Sequence, residues 1–83
     1  MNRSELEKVF NEEGIRADSY GLNGGLPSER HTIEKRSNGW AVYYSERGGR
    51  TSERSFKTES EACRELLQRV LGDPSTRARR AKD

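Results

Sequence analysis

The architecture of this chain depends most on one stretch, WAVYYSERGGR at residues 40–50. Residues of a β-strand alternate between its two sides. The side that carries the larger apolar residues comprises Trp40, Val42 and Tyr44. Tyr43 lies on the opposite side, together with Ala41 and Ser45. Two neighbouring tyrosines cannot face the same core, so the alternation predicts that Tyr43 points away from it.

Turn signals frame this strand on both sides. Asn38–Gly39 precedes it, and an Asn-Gly pair between strands is a strong hairpin signal. Arg47–Gly48–Gly49 follows it and predicts a second tight turn. The pattern therefore predicts three consecutive antiparallel strands, at residues 30–36, 40–46 and about 50–57.

Helical patterns precede and follow the three strands along the sequence. SELEKVFNEEG at residues 4–14 has one apolar stripe, a capping box of Ser4 with Glu7, and a terminal Gly14. TESEACRELLQRVLG at residues 58–72 has a wider apolar stripe and a cap at Thr58. Both segments predict amphipathic helices.

The resulting fold prediction is α+β, with the order α-β-β-β-α: a three-stranded antiparallel meander with two helices packed on one face. The predicted core comprises Leu6, Phe10, Ile33, Trp40, Val42, Tyr44, Phe56, Leu66, Leu67 and Val70. The opposite face is expected to stay open to solvent and to carry Thr32, Glu34, Ala41, Tyr43, Ser45, Thr51, Glu53 and Ser55.

Two segments have no clear period. Residues 15–29 contain glycines and a proline, which break regular structure, but also several apolar residues. We expect an ordered loop packed over the core, and a loop of that length is a functional candidate. Residues 73–83 have little apolar content and are predicted to be a disordered basic tail after a single domain at 1–72.

Composition limits the function classes. The chain has 83 residues, of which 29% are hydrophobic and 36% charged, so it forms one small domain at most. Residues 30–57 hold seven basic residues against three acidic ones, a pattern that attracts nucleic acid or an acidic protein surface. No apolar run has the length of a membrane span or a signal peptide, and we expect a cytoplasmic protein.

The sequence offers little for catalysis. His31 is the single histidine, and a lone strand histidine is usually a packed or surface residue. Cys63 is the single cysteine and lies on the apolar stripe of the second helix, so it is predicted to be a buried core residue. No residues have zinc-ligand spacing. We therefore expect no enzyme activity, no metal and no cofactor.

Binding is the better prediction. Tyrosine and arginine are enriched at interface hot spots, and Tyr43 is expected near Arg47 in the basic region. Arg50, Arg54 and Phe56 are separated by even numbers of residues, so simple alternation places all three on the side of the strand away from Tyr43. Arg50 and Arg54 therefore reach the face of Tyr43 only around the sheet edge or after a β-bulge. The predicted partner-binding residues are Tyr43, Arg47, Arg50, Arg54, Tyr20, Asn23, Glu29 and Arg30. The expected partner presents an acidic patch.

Two nucleic-acid-binding families resemble parts of the chain. The element order is similar to a double-stranded-RNA-binding domain, but the start of the second helix, TESEA at residues 58–62, is acidic where that family is basic. The segment NGWAVYYSERGGRTSERSFKTESEACRELL, residues 38–67, resembles the arm-site DNA-binding domain of phage-type integrases. The matching residues are Trp40, Gly49, Phe56, Lys57, Thr58, Glu61 and Ala62. That resemblance implies a three-stranded sheet that enters the DNA major groove.

A third resemblance covers residues 1–71. The pieces SYGLNGGLPSER (19–30), W-VYYSERG (40–48) and F-TESEAC-ELL (56–67) look like a family of small bacterial immunity proteins found with secreted polymorphic toxins. Unlike the other two, this resemblance includes the glycine-rich loop. It implies a cytoplasmic protein that binds and neutralises a cognate toxin domain.

Overall fold

A computed structural model describes residues 1–77 as an α+β fold of two helices and a four-stranded mixed sheet. The elements are α1 (Arg3–Glu12), β1 (Tyr20–Gly21), β2 (Arg30–Arg36), β3 (Gly39–Glu46), β4 (Gly49–Phe56) and α2 (Glu59–Leu71), with single 3-10 turns at Ala17–Ser19 and Pro74–Thr76. The predicted class and helix–meander–helix order are confirmed. The sheet has one strand more than predicted, because the two residues of β1 pair in parallel with β2.

Helix α1 begins earlier than the sequence pattern predicts. Asn2, not Ser4, is the N-cap: its side chain accepts from the Glu5 backbone N–H at 2.9 Å, and the Glu5 carboxylate accepts from the Asn2 N–H at 2.8 Å. Both candidate boxes have the same spacing. The earlier start lets the Arg3 backbone N–H donate to Glu59 at the start of α2, at 2.9 Å.

Helix α2 follows the prediction closely. The Thr58 hydroxyl accepts from the Glu61 backbone N–H at 3.1 Å and thereby caps the helix. Gly72 is the C-cap. These ends are set by local hydrogen bonds, which is why the sequence was sufficient to predict them.

Both helices pack on the same face of the sheet, as predicted. The fully buried apolar residues on this side are Leu6, Phe10, Ile33, Val42, Ala62, Cys63, Leu66 and Val70. Trp40, Phe56 and Leu67 are partly buried and pack around them. Tyr44, predicted as a core residue, is half-buried and its ring lies 4.9 Å from that of His31. We call the side of the sheet that packs against α1 and α2 the helix face.

A β-bulge changes the alternation along β4. Val42 is paired with Arg54, but Tyr44 is paired with Thr51, so β4 holds one extra residue between these pairs. Ser52 has a φ of 56°, in the left-handed region, and lies at this point. Thr51 therefore shares the face of Tyr44, and its predicted place on the opposite face is wrong.

Residues 73–77 are folded onto the domain. Thr76 is buried, and its hydroxyl donates to the Val70 carbonyl at 2.8 Å. The Arg16 N–H donates to the Thr76 carbonyl at 2.7 Å. The prediction of a disordered tail is therefore wrong for 73–77, because polar side-chain and backbone hydrogen bonds hold this segment. Residues 78–83, the rest of that predicted tail, lie outside the described residues.

Candidate binding surface

The second face of the sheet is covered by residues 22–29, which we call the covering loop. Tyr43 is fully buried beneath it, together with Thr32, Ala41 and Ser45. The prediction of a wholly open face with an exposed Tyr43 is therefore wrong. Tyr43 does point away from the helices, as its parity requires, but the chain itself encloses it. We call the side of the sheet beneath the covering loop the loop face.

Hydrogen bonds, more than apolar contacts, fix the covering loop. The Tyr43 hydroxyl shares its proton between the Gly25 carbonyl, at 2.6 Å, and Glu34 Oε1, at 2.8 Å. The Ser45 hydroxyl donates to the Pro27 carbonyl. The Gly24 N–H donates to the Ile33 carbonyl at 2.9 Å. Gly24, Gly25 and Pro27 are thus attached to β2 and β3.

One glycine in the loop has no substitute. Gly24 has a φ of +68°, a conformation that residues with a Cβ rarely adopt. A Cβ at Gly24 would also lie 2.7 Å from Glu34 Cγ. A side chain at Gly24 would therefore strain the backbone and force Glu34 or the loop to shift.

Glu34 is the charged centre of the loop face. It accepts from Tyr43, from the Gly25 N–H at 3.2 Å and from Arg36 Nε at 2.9 Å. The hydrogen bond from Tyr43, followed by that from Arg36, holds the pKa of Glu34 below its usual value. Burial, reinforced by the Glu34 carboxylate, raises the pKa of Tyr43 to about 12.

The arginines of the sheet are divided between the two faces. Arg36 donates to both oxygens of Glu53, at 3.0 and 3.2 Å. The bulge places Arg50 on the loop face, where its guanidinium lies 5.0 Å from the Tyr43 ring centroid. Arg54 lies on the helix face and donates to Glu65 at 3.3 Å. The structure therefore does not bring Arg54 together with Tyr43 and Arg50.

The other predicted binding residues lie in different places. Tyr20 is only 5% exposed and packs 4.5 Å from the Phe10 ring, so its prediction as a surface residue is wrong. Asn23 is exposed beside the start of α1. Glu29 is exposed and lines a cleft on the helix-face side. Arg47 is exposed in the turn between β3 and β4.

Three of the predicted arginines lie at the end of the sheet nearest the β3–β4 turn. Arg30 is paired with Ser45 in β3, and Ser45 is paired in turn with Arg50 in β4. Arg47 lies in the turn between β3 and β4, at the same end of the sheet. All three are predicted binding residues, whereas Leu26, which is 46% exposed in the covering loop, was not predicted from the sequence. We call Leu26, Arg30, Arg47 and Arg50 the loop-tip surface.

The sequence held one signal for the covered face. Tyr43 stands between Ala41 and Ser45 along its side of β3, and Thr32 is its partner in β2. Small residues around one large ring leave space for another segment to approach the sheet. That signal indicates a cover, although it does not identify the segment that supplies it.

His31 forms a separate polar pair at the end of α2. Its Nε2 donates to the Asp73 carboxylate at 2.9 Å, and this hydrogen bond is the main cause that lowers the pKa of Asp73. His31 Nδ1 is buried and has no hydrogen-bond partner among residues 1–77. No described hydroxyl is thus bonded to His31 as a triad nucleophile would be. The pair attaches residues 73–77 to β2.

No group of three or more metal-ligating side chains occurs within residues 1–77. In the same range, neither helix is long and apolar enough to cross a membrane. Comparison with protein-family models gives no matching family, and neither curated proteins nor solved structures match the chain.

Proposed function

We propose that this chain is a non-enzymatic, cytoplasmic binding protein, and specifically an immunity protein that binds and neutralises a cognate bacterial toxin domain. The observation that carries the proposal is the covering loop. It belongs to the stretch SYGLNGGLPSER, residues 19–30, which resembles immunity proteins most distinctively. In the structure this stretch is held on the sheet by hydrogen bonds from Tyr43, Ser45 and Gly24.

A fixed loop suits an inhibitor for an energetic reason. Ordering a flexible loop on binding costs free energy, which a loop already held in place avoids. The Gly25 N–H donates to Glu34 in β2, and the Gly25 carbonyl accepts from Tyr43 in β3. The Pro27 carbonyl accepts from Ser45 in β3. The loop therefore reaches its partner in one conformation.

Charge supports an acidic partner. Across residues 1–77, neither Arg30 nor Arg47 forms an ion pair. The charged residues of the loop face and its turn are Arg30, Arg36, Arg47, Arg50, Glu34 and Glu53. Arginine exceeds glutamate in this set, and an excess of one sign speeds association with a partner of the other sign.

Co-expression tests this function. If the gene immediately upstream encodes a secreted protein, the C-terminal domain of that protein is the toxin candidate to test. We expect that domain to stop growth of a host cell, and this chain to restore growth and to form a complex with it in isothermal titration calorimetry. A stable, folded chain that neither restores growth nor binds the domain contradicts the proposal.

The DNA-binding alternative is less well supported. An integrase-type domain needs a sheet face free to enter the major groove, but the covering loop occupies that place over Tyr43 and Ser45. Titration with random duplex DNA over a salt series separates the two functions. Several phosphate contacts give a steep loss of affinity with salt, whereas an immunity protein shows little binding at physiological salt.

A further inference from the structure

Leu26 is an exposed apolar side chain on a fixed backbone. Only Leu26 and Met1 are exposed large hydrophobic residues within 1–77. The residue before Leu26 is bonded to Tyr43 and Glu34, and the residue after it is bonded to Ser45. Leu26 is not part of the apolar core, and the bonds made by its two neighbours hold its backbone in place, which lowers the entropy cost of using its side chain as an anchor.

Two arginines lie on either side of the loop. Arg30, Ser45 and Arg50 are neighbours across β2, β3 and β4. Adjacent strands are about 4.8 Å apart, so the backbones that carry the two arginines are separated by roughly 10 Å. Because Ser45 binds Pro27, the loop crosses the middle of this row. The loop that carries Leu26 therefore passes between the strands that carry Arg30 and Arg50.

Acidic residues of the same sheet end lie on the other side. Glu29, Glu46 and Asp73 surround Tyr44 on the helix face, where their charges, after burial, raise the pKa of its hydroxyl. The carboxylate nearest Arg50 is Glu34, 3.9 Å away, which also accepts from Arg36 and Tyr43. Arg30 and Arg50 therefore flank the loop beside a Glu34 carboxylate that is already paired, whereas Glu29, Glu46 and Asp73 lie on the helix face.

We propose that the loop-tip surface is the toxin-binding site, with Leu26 inserted into an apolar socket of the toxin whose rim carries carboxylates. This inference rests on the proposed function and names the chemistry of its partner. A central apolar anchor that excludes water is typical of binding hot spots. Guanidinium groups pair with carboxylates through two parallel hydrogen bonds, so Arg30, Arg47 and Arg50 suit the rim of the socket.

Variants of the loop-tip surface test this site with the upstream-encoded toxin domain as the probe. Leu26→Ala is expected to weaken binding by roughly 30-fold, the loss typical of a hot-spot residue. Arg47→Glu is expected to weaken it by about 10-fold or more, since it sets like charges against each other. The melting temperature of both variants should stay unchanged, because both residues are exposed.

Salt and a matched control separate the two contributions. The effect of Arg47→Glu should shrink at high salt, whereas that of Leu26→Ala should persist, because salt screens exposed charges but not apolar burial. Arg64→Glu makes the same charge change at an exposed position of α2 and should leave the affinity within about twofold.

The outcomes distinguish the two proposals. Tight binding by the original chain that Leu26→Ala and Arg47→Glu leave unchanged overturns this site and leaves the immunity function intact. Equal losses for Arg47→Glu and Arg64→Glu overturn the local role of the arginine. Absence of binding by the original chain overturns both the function and the site.

Discussion

The two faces of the sheet are closed by different physical means. On the helix face, apolar side chains such as Ile33 and Val42 are buried against α1 and α2. On the loop face, eight residues of irregular chain lie over Tyr43 and Ser45 and are held by hydrogen bonds to those hydroxyls and to Glu34. A chain with 29% hydrophobic residues has enough apolar side chains for one core, so polar contacts complete the second layer.

This difference has an energetic consequence. Apolar burial contributes roughly 25 cal/mol for each Å² removed from water, and it does not depend on pH. A net hydrogen bond contributes only about 0.5–1.5 kcal/mol, but leaving its buried partner unsatisfied costs more. We therefore expect the helix face to determine whether the chain folds, and the loop face to be more sensitive to pH and to small changes in shape.

The largest expected effect concerns the helix face. Leu66→Ala should lower the free energy of unfolding by about 2–5 kcal/mol, because it leaves a cavity in a fully buried site. Leu67→Ala, at the partly buried rim, should cost clearly less. Guanidinium chloride unfolding measures both. Equal losses for the two variants would mean that the core is not centred on this face.

A backbone change in the covering loop should come next. Gly24→Ala should destabilise by about 1–2 kcal/mol through its left-handed conformation alone, and further through contact with Glu34. Gly25→Ala also has a positive φ, of 80°, but a Cβ there meets nothing within 4 Å. The same unfolding measurement should therefore rank Gly24→Ala below Gly25→Ala in stability. The reverse order would show that the loop does not lie against Glu34.

The hydroxyl of Tyr43 provides a third test. Tyr43→Phe should cost about 1–3 kcal/mol, because it leaves the Gly25 carbonyl without its buried donor. The control is Tyr44→Phe. The Tyr44 hydroxyl makes no hydrogen bond to residues 1–77, so removing it should change stability little. Hydrogen exchange at the Gly24 amide should also become faster in Tyr43→Phe. Unchanged exchange would show that the loop is held by other contacts.

Acid should weaken the loop face through Glu34. Its pKa is lower in the folded chain than its ordinary value of 4.5, so its contribution is fully present above pH 4.5 and is lost as pH falls through the folded pKa. Glu34→Gln should therefore flatten the pH dependence of the melting temperature below pH 4.5. An acid limb as steep in Glu34→Gln as in the original chain would assign the effect to other carboxylates, such as Glu53 and Asp73.

The smallest effect should come from the exposed ion pair on the helix face. Arg54→Ala should change the free energy of unfolding by less than about 1 kcal/mol, because its pair with Glu65 is largely solvent-exposed on the arginine side. Any loss should disappear in high salt. A larger loss that persists in salt would indicate that the stacking of Arg54 on Phe56, at 5.3 Å, stabilises the sheet edge.

Prediction from sequence succeeded on the helix face and only partly on the loop face. The periods and caps that define α2 involve residues three or four apart, and the alternation in β3 assigned Val42 and Tyr43 to opposite sides correctly. The cover over Tyr43 was missed because its bonds join residues 18 apart, Tyr43 to Gly25 and Ser45 to Pro27. A glycine-rich stretch has no period that reveals such contacts.

The proposed binding residues divide in the same way. The exposure of Arg47 was predictable because Arg47 lies in a turn, whereas Arg30, at the start of β2, is half-buried. Arg50 depended on the bulge at Ser52, which the sequence allowed but did not require. Leu26 was counted among the apolar residues of a packed loop, and its exposure follows only from how its two neighbours are held.

The amino-acid sequence alone therefore determined the helices, the three long strands and the face on which the helices pack, because those features follow from local hydrogen bonds and apolar periodicity. The placement of residues 22–29 over Tyr43, the return of residues 73–77 to the domain and the gathering of Arg30, Arg50 and Leu26 were set by tertiary contacts. These contacts form between segments that are distant along the chain, and their free energy exists only once the sheet that they cover has formed.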